Sequence, residues 1–124
     1  MTHKLLEEYL LSFPTTWLDF PFGEGVSVYK VGHKETGGSK LFAIIADGSD
    51  PLRVSLKCDP KLAETLREKY ESVLPGYHLN KKHWNTVLFE GSLDDGFLRK
   101  LIDHSYDLIV ASLPKKTRDE LANL

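Results

Sequence analysis

Apolar positions in the first dozen residues fall at helical spacing: Leu5, Leu6, Tyr9 and Leu10 share one face, Phe13 follows in phase, and Thr2 stands where an N-cap belongs. Phe13-Pro14 ends this helix, because a residue before proline is pushed out of the α region. From Thr15 to Lys57 the texture changes to short runs of β-branched and aromatic residues between Gly- or Asp-rich punctuation. This predicts strands over 15–20, 26–31, 41–46 and 52–57, with turns at 22–25, 36–39 and 47–51. In the last strand Leu52, Val54 and Leu56 point one way and Arg53, Ser55 and Lys57 the other, so one face of the sheet is expected to be wet.

Asp59-Pro60 is a helix start with a side-chain cap and a proline in the first turn, and Leu62, Ala63, Leu66 and Tyr70 follow at helical spacing. This second helix must end before Pro75-Gly76. Extended pieces are expected over 77–80 and 84–90, on either side of Asn80-Lys81-Lys82-His83. Ser92 with Asp95 resembles a capping box, and the stripe of Phe97, Leu98, Leu101, Ile102, Leu108, Ile109 and Leu113 predicts a long helix up to Pro114. A short terminal helix fits 115–121. The order is helix, three or four strands, helix, two strands, helix. Hairpin-length turns favour antiparallel pairing, so the chain is expected to be one domain over 1–124, an α+β two-layer sandwich with helices on one face of an antiparallel sheet.

Composition agrees. At 124 residues and 14.1 kDa, with 27% charged and 41% apolar residues, the chain has the balance of a globular domain rather than a disordered or fibrous one. Sixteen Lys plus Arg against eighteen Asp plus Glu leave a net charge of -2, so nucleic acid or anionic lipid would have to be held by a local patch. The single cysteine, Cys58, excludes an internal disulfide and any CxxC site, which suits a reducing compartment. Glu7 and Glu8 interrupt the amino-terminal apolar stretch, unlike a secretory signal, and the apolar runs at 41–46 and 108–111 are far too short to span a bilayer. A cytoplasmic protein with no membrane partner is expected.

Enzyme motifs are missing: there is no GxGxxG after a strand, no GxxxxGK[ST] loop and no GxSxG elbow. A metal reading of His78 and His83 needs a third ligand that the sequence does not identify, and two histidines in a basic turn are better read as solvated or hydrogen-bonded than as metal ligands. His104 reads as a helix-surface residue. Cys58 opens the second helix, where the dipole would favour a thiolate, but no base is linked to it and a small buried apolar residue is the better reading. Glu7, Glu8, Asp47, Asp50, Asp94, Asp95, Asp103 and Asp107 are scattered, and their spacing singles out no acid/base pair. No catalytic residue and no cofactor are therefore expected.

Residues 77–86 stand apart. Tyr77, His78, Leu79, Asn80, Lys81, Lys82, His83, Trp84, Asn85 and Thr86 combine the cations and aromatic rings that phosphate contact and base stacking would use. The plainer alternative is a basic turn whose Tyr77 and Trp84 anchor strands in the core. Arg53, Lys57, Lys115, Lys116 and Arg118 would enlarge the patch if folding gathers them.

SLKCDP at 55–60, HLNKKHWNTV at 78–87 and DHSYDLIVASLPKK at 103–116 together resemble the MmcQ/YjbR family. The resemblance covers nearly the whole chain and implies a compact two-layer domain related to the secretion-chaperone and frataxin-like (CyaY-like) folds. The family carries a DNA-binding label with a "double-wing" motif. Placed on this sequence, that label falls on His78, Asn80, Lys81, Lys82, His83, Trp84 and Asn85, as a wing that binds DNA weakly; it supplies no catalytic residue. Iron handling is disfavoured, since Glu7 and Glu8 make no extended acidic ridge. The alternative is a protein-interaction or chaperone-like module, monomeric or weakly dimeric, that uses the open sheet face with Tyr29, Val31 and the aromatics near 77–89.

Overall fold

The structure is a computed structural model and describes residues 1–34, 38–90 and 93–123. Its elements run α1 (His3–Leu11), β1 (Thr16–Asp19), β2 (Val26–Gly32), β3 (Ser39–Ala46), β4 (Leu52–Lys57), α2 (Pro60–Lys69), β5 (Val73–Pro75), β6 (Trp84–Phe89), α3 (Asp95–Ala111) and α4 (Lys115–Ala122). The six strands form one antiparallel sheet in the order β1-β2-β3-β4-β6-β5. The expected α+β sandwich is what the chain forms.

The predicted caps explain where two helices begin. Thr2 Oγ1 accepts from the Leu5 N–H, and an Asp59 carboxylate oxygen accepts from Leu62, with Pro60 in the first turn. For α3 the cap is Asp94, whose side chain accepts from Phe97 at 2.8 Å; Ser92, the expected cap, lies outside the described residues, as does part of the turn at 36–39. The α2 helix stops at Lys69, well short of Pro75. The freed residues Val73–Pro75 make the edge strand β5, whereas 77–80, expected to be extended, are a turn.

One layer of side chains joins helices to sheet. Leu6 and Leu10 from α1, Ala63 and Leu66 from α2, and Leu98, Ile102 and Ile109 from α3 meet Tyr29, Val31, Ala43, Ile45, Val54, Leu56 and Val87 in a single buried cluster. Tyr29 and Val31, expected on the open face, are 0% exposed in this core. The correction has a simple cause: in Val-Ser-Val-Tyr-Lys-Val both alternating sets are largely apolar, so periodicity cannot choose between them. A β-bulge between Tyr29 and Lys30 leaves Phe42 without an opposite residue, and Phe42 and Ala43 both turn into the core.

The β3–β4 ladder ends at Ala43 and Leu56, and just beyond it Ser105 of α3 takes over. Its buried Oγ donates to the Phe42 carbonyl at 2.6 Å and accepts from the Lys57 N–H at 2.9 Å. Removing the hydroxyl orphans both groups, so Ser105→Ala is expected to cost about 1.5 kcal/mol in urea unfolding. An unchanged midpoint would show that the two strands do not need this bridge.

Candidate functional site

Strand parity places Trp17, Val26, Val28, Ile44, Ala46, Arg53, Ser55, Lys57 and Thr86 on the face away from the helices. The alternation of Arg53, Ser55 and Lys57 led to the expectation of a wet face. In β2 and β3, however, the same face carries Val26, Val28, Ile44 and Ala46. Val26, Ile44 and Ala46 contribute to an apolar cleft of about 360 Å³ lined also by Phe22, Arg53, Ser55, Tyr77, His78, Leu79 and Thr86. Phe22 comes from the β1–β2 turn, and Tyr77, His78 and Leu79 from the loop after β5.

That loop is built to lie against the sheet. The Tyr77 N–H donates to Thr86 Oγ1 at 3.0 Å, and Thr86 Oγ1 shares a 2.9 Å hydrogen bond with Ser55 Oγ. The Gly76 N–H donates to the Trp84 carbonyl and the Lys81 ammonium to the Gly76 carbonyl, both at 2.9 Å. Asn80 organises the turn: its Oδ1 accepts from the Lys82 N–H and its carbonyl from the Trp84 N–H. These bonds hold His78 in the left-handed region at φ 57°, with its ring 4.0 Å from that of Tyr77. Such a conformation in a residue other than glycine persists where surrounding bonds over-determine it, and it is often found beside binding sites.

The candidate residues read from sequence separate into groups. Arg53 and His78 meet at the cleft. Lys81 and Lys82 are exposed on the loop, with the Lys81 ammonium engaged by Gly76 as described. His83 is half-buried, and its carbonyl accepts from the Cys58 N–H at 2.9 Å. Trp84 is half-buried against the core. Asn85 is 2% exposed, points to the helix side and donates to the Ala63 carbonyl. Lys57 lies on the outer face at the end of β4 and outside the cleft. Lys115, Lys116 and Arg118 sit on α4, which docks through Thr117 against Gly38 near the β2–β3 connection, and Lys115 pairs with Asp119 at 3.0 Å. The α4 cations thus contribute nothing to the cleft.

Other chemistry is weak. Cys58 is 4% exposed; burial, helped by the Asp59 carboxylate, pushes its thiol up to about 11, so it is protonated at neutral pH. His104 Nε2 accepts the Asp59 N–H at 3.1 Å and so ties α3 to the start of α2. Ser27 donates to both oxygens of Asp47, and His3 Nε2 lies 3.1 Å from one of them. Here the hydroxyl is spent on the carboxylate rather than on a histidine base, which makes the trio a clamp between α1 and the sheet and not a nucleophilic site. Among the described residues no group of three or more His, Cys, Asp or Glu is placed to hold a metal ion, and no helix is long and apolar enough to cross a membrane.

Sequence reasoning did not find Phe22, Val26, Ile44 and Ala46. The available signal was the apolar character of both faces of β2 and β3, which a sheet wetted on one side does not need.

The YjbR family model matches residues 11–108. The Uncharacterized protein YjbR of Escherichia coli (strain K12) is 44% identical over 84 residues, which are 68% of this chain and 71% of that protein. The Uncharacterized protein YbdF of Escherichia coli O157:H7 is 32% identical over 114 residues, 92% of this chain and 88% of the relative. The crystal structure of Deinococcus radiodurans protein DR2400 aligns with a TM-score of 0.90 at 38% identity, covering 98% of this chain and 88% of the other.

Proposed function

The chain belongs to the YjbR family, and from the geometry of its uncovered sheet face we propose that it is a binding module whose working surface is the apolar cleft. The observation that carries this reading is the cleft itself: about 360 Å³ of mostly apolar space, with Phe22 and a hydrogen-bonded loop from opposite ends of the sheet order contributing to it. That volume is at the lower end of the range for small-molecule sites. A small apolar ligand is thus favoured over a flat protein contact.

The nucleic-acid reading uses the same loop differently, through its rim. There Asn80 and the Lys81 ammonium are spent on the turn, Asn85 is sealed in, and Trp84 is partly withdrawn, which leaves His78, Lys82 and His83 to meet phosphates. With Arg53 and Lys57 from the same sheet face these are five groups, two of them histidines, on a chain of net charge -2, a poor electrostatic footprint. The cleft is the better candidate for the working surface.

The neutral apolar dye N-phenyl-1-naphthylamine tests this directly. Its fluorescence should rise saturably with one dye per chain, and Ala46→Trp, which sets an indole into the cleft, should weaken binding at least about tenfold while the urea midpoint stays near that of the native chain. Native protein that gives no saturable signal, or a filled cleft that binds equally well, would remove this reading.

A further inference from the structure

The cleft has a polarity of its own. Among the described residues that line it, Arg53 and His78 are basic and none carries a carboxylate. Among the described residues the Arg53 guanidinium pairs with no Asp or Glu. It stands in β4 directly opposite Ala46 of β3, beside the Ser55 and Thr86 hydroxyls, which are spent on each other and on the Tyr77 N–H.

We propose, building on the reading of the cleft as a binding site, that its ligand is a small apolar carboxylic acid. The hydrocarbon body would lie on Val26, Ile44 and Ala46 near Phe22 and Tyr77, with the carboxylate at Arg53. Arg53 is exposed at the cleft and pairs with no carboxylate among the described residues, so its guanidinium is open to an anionic group that a neutral apolar ligand lacks. The planar fork of an arginine matches a carboxylate through two parallel hydrogen bonds. A carboxylate brings a single charge, which one guanidinium balances, whereas a phosphate dianion brings more. His78, in its left-handed turn, lines the same cleft.

The test uses the bound naphthylamine dye as reporter and two competitors of matched shape, 4-phenylbutyrate and its neutral amide 4-phenylbutyramide, at pH 7.5. On the native chain the acid should displace the dye at a concentration at least about tenfold lower than the amide. In Arg53→Gln, with each competitor's inhibition constant corrected for the variant's own dye affinity, the acid and the amide should come to within about twofold of each other. Dye that binds but is displaced equally by acid and amide from the native chain overturns the carboxylate assignment and leaves the cleft as a neutral site. An acid preference that survives Arg53→Gln overturns the role of Arg53. Dye that does not bind native protein overturns the binding-module reading and this inference together.

Discussion

Ile102→Ala is expected to remove about 3 kcal/mol of stability, a large share of what a domain of this size has to lose. Ile102 is 0% exposed on α3, in the buried cluster that α3 shares with α1, α2 and the sheet. Alanine gives up the transfer energy of the lost carbons and leaves a cavity inside this close-packed cluster, whose members sit on helices and strands that cannot collapse into it fully. The urea midpoint should fall steeply with little change in slope. Since the cleft is on the opposite face of the sheet, the folded fraction should still bind the naphthylamine dye with native affinity. A loss below about 1 kcal/mol would mean that the helix layer repacks far more freely than this core suggests.

Gly76→Ala is the second large effect, and it acts on both stability and site. A β-carbon at Gly76 would lie 2.8 Å from the Trp84 Cβ and 2.9 Å from the Trp84 carbonyl oxygen, the same oxygen that accepts the Gly76 N–H. Neither contact is with the free end of a flexible side chain, so the backbone has to move. Moving it breaks the bond that closes the loop and shifts Tyr77 and His78, the next two residues and both part of the cleft. The expected cost is about 2 kcal/mol in unfolding, together with several-fold weaker dye binding. A stable variant with native dye affinity would show that the loop does not shape the cleft.

Much of the fold was legible because its local signals agree with one another. The Thr2 and Asp59-Pro60 caps, the α3 stripe and the alternation of β4 each depend on side chains within a few residues, and the structure places them as expected. The failures lie where a decision is taken over long range. Whether Tyr29 or Val28 faces the helices depends on which apolar set the rest of the chain covers, and the sequence of β2 carries both. Whether 73–75 or 77–80 becomes the strand depends on pairing with β6, in which Val73 finds Val87 and Pro75 finds Asn85. The left-handed His78 then follows from the turn.

The candidate site was half legible for the same reason. His78 and Arg53 drew attention because they are charged or titratable, but their meeting depends on β3, β4 and β6 lying side by side and on the loop after β5 folding back over them. Lys115, Lys116 and Arg118 looked equivalent to them in sequence and are set apart only by where α4 docks. Asn85 looked like part of a polar motif, yet strand parity turns it inward to Ala63 while Thr86 turns outward to the cleft.

The outermost strands have a bearing on self-association. β5 is three residues long and ends in Pro75, which has no N–H to offer, and β1 is four residues long and ends in Asp19, already bound to the Lys30 ammonium at 2.9 Å. A second molecule arriving side-on would find only a handful of backbone groups before meeting an imino ring at one border or a charge at the other. Growth into ribbons is discouraged at both borders, which leaves the broad surface between them free to stay apolar without seeding aggregates.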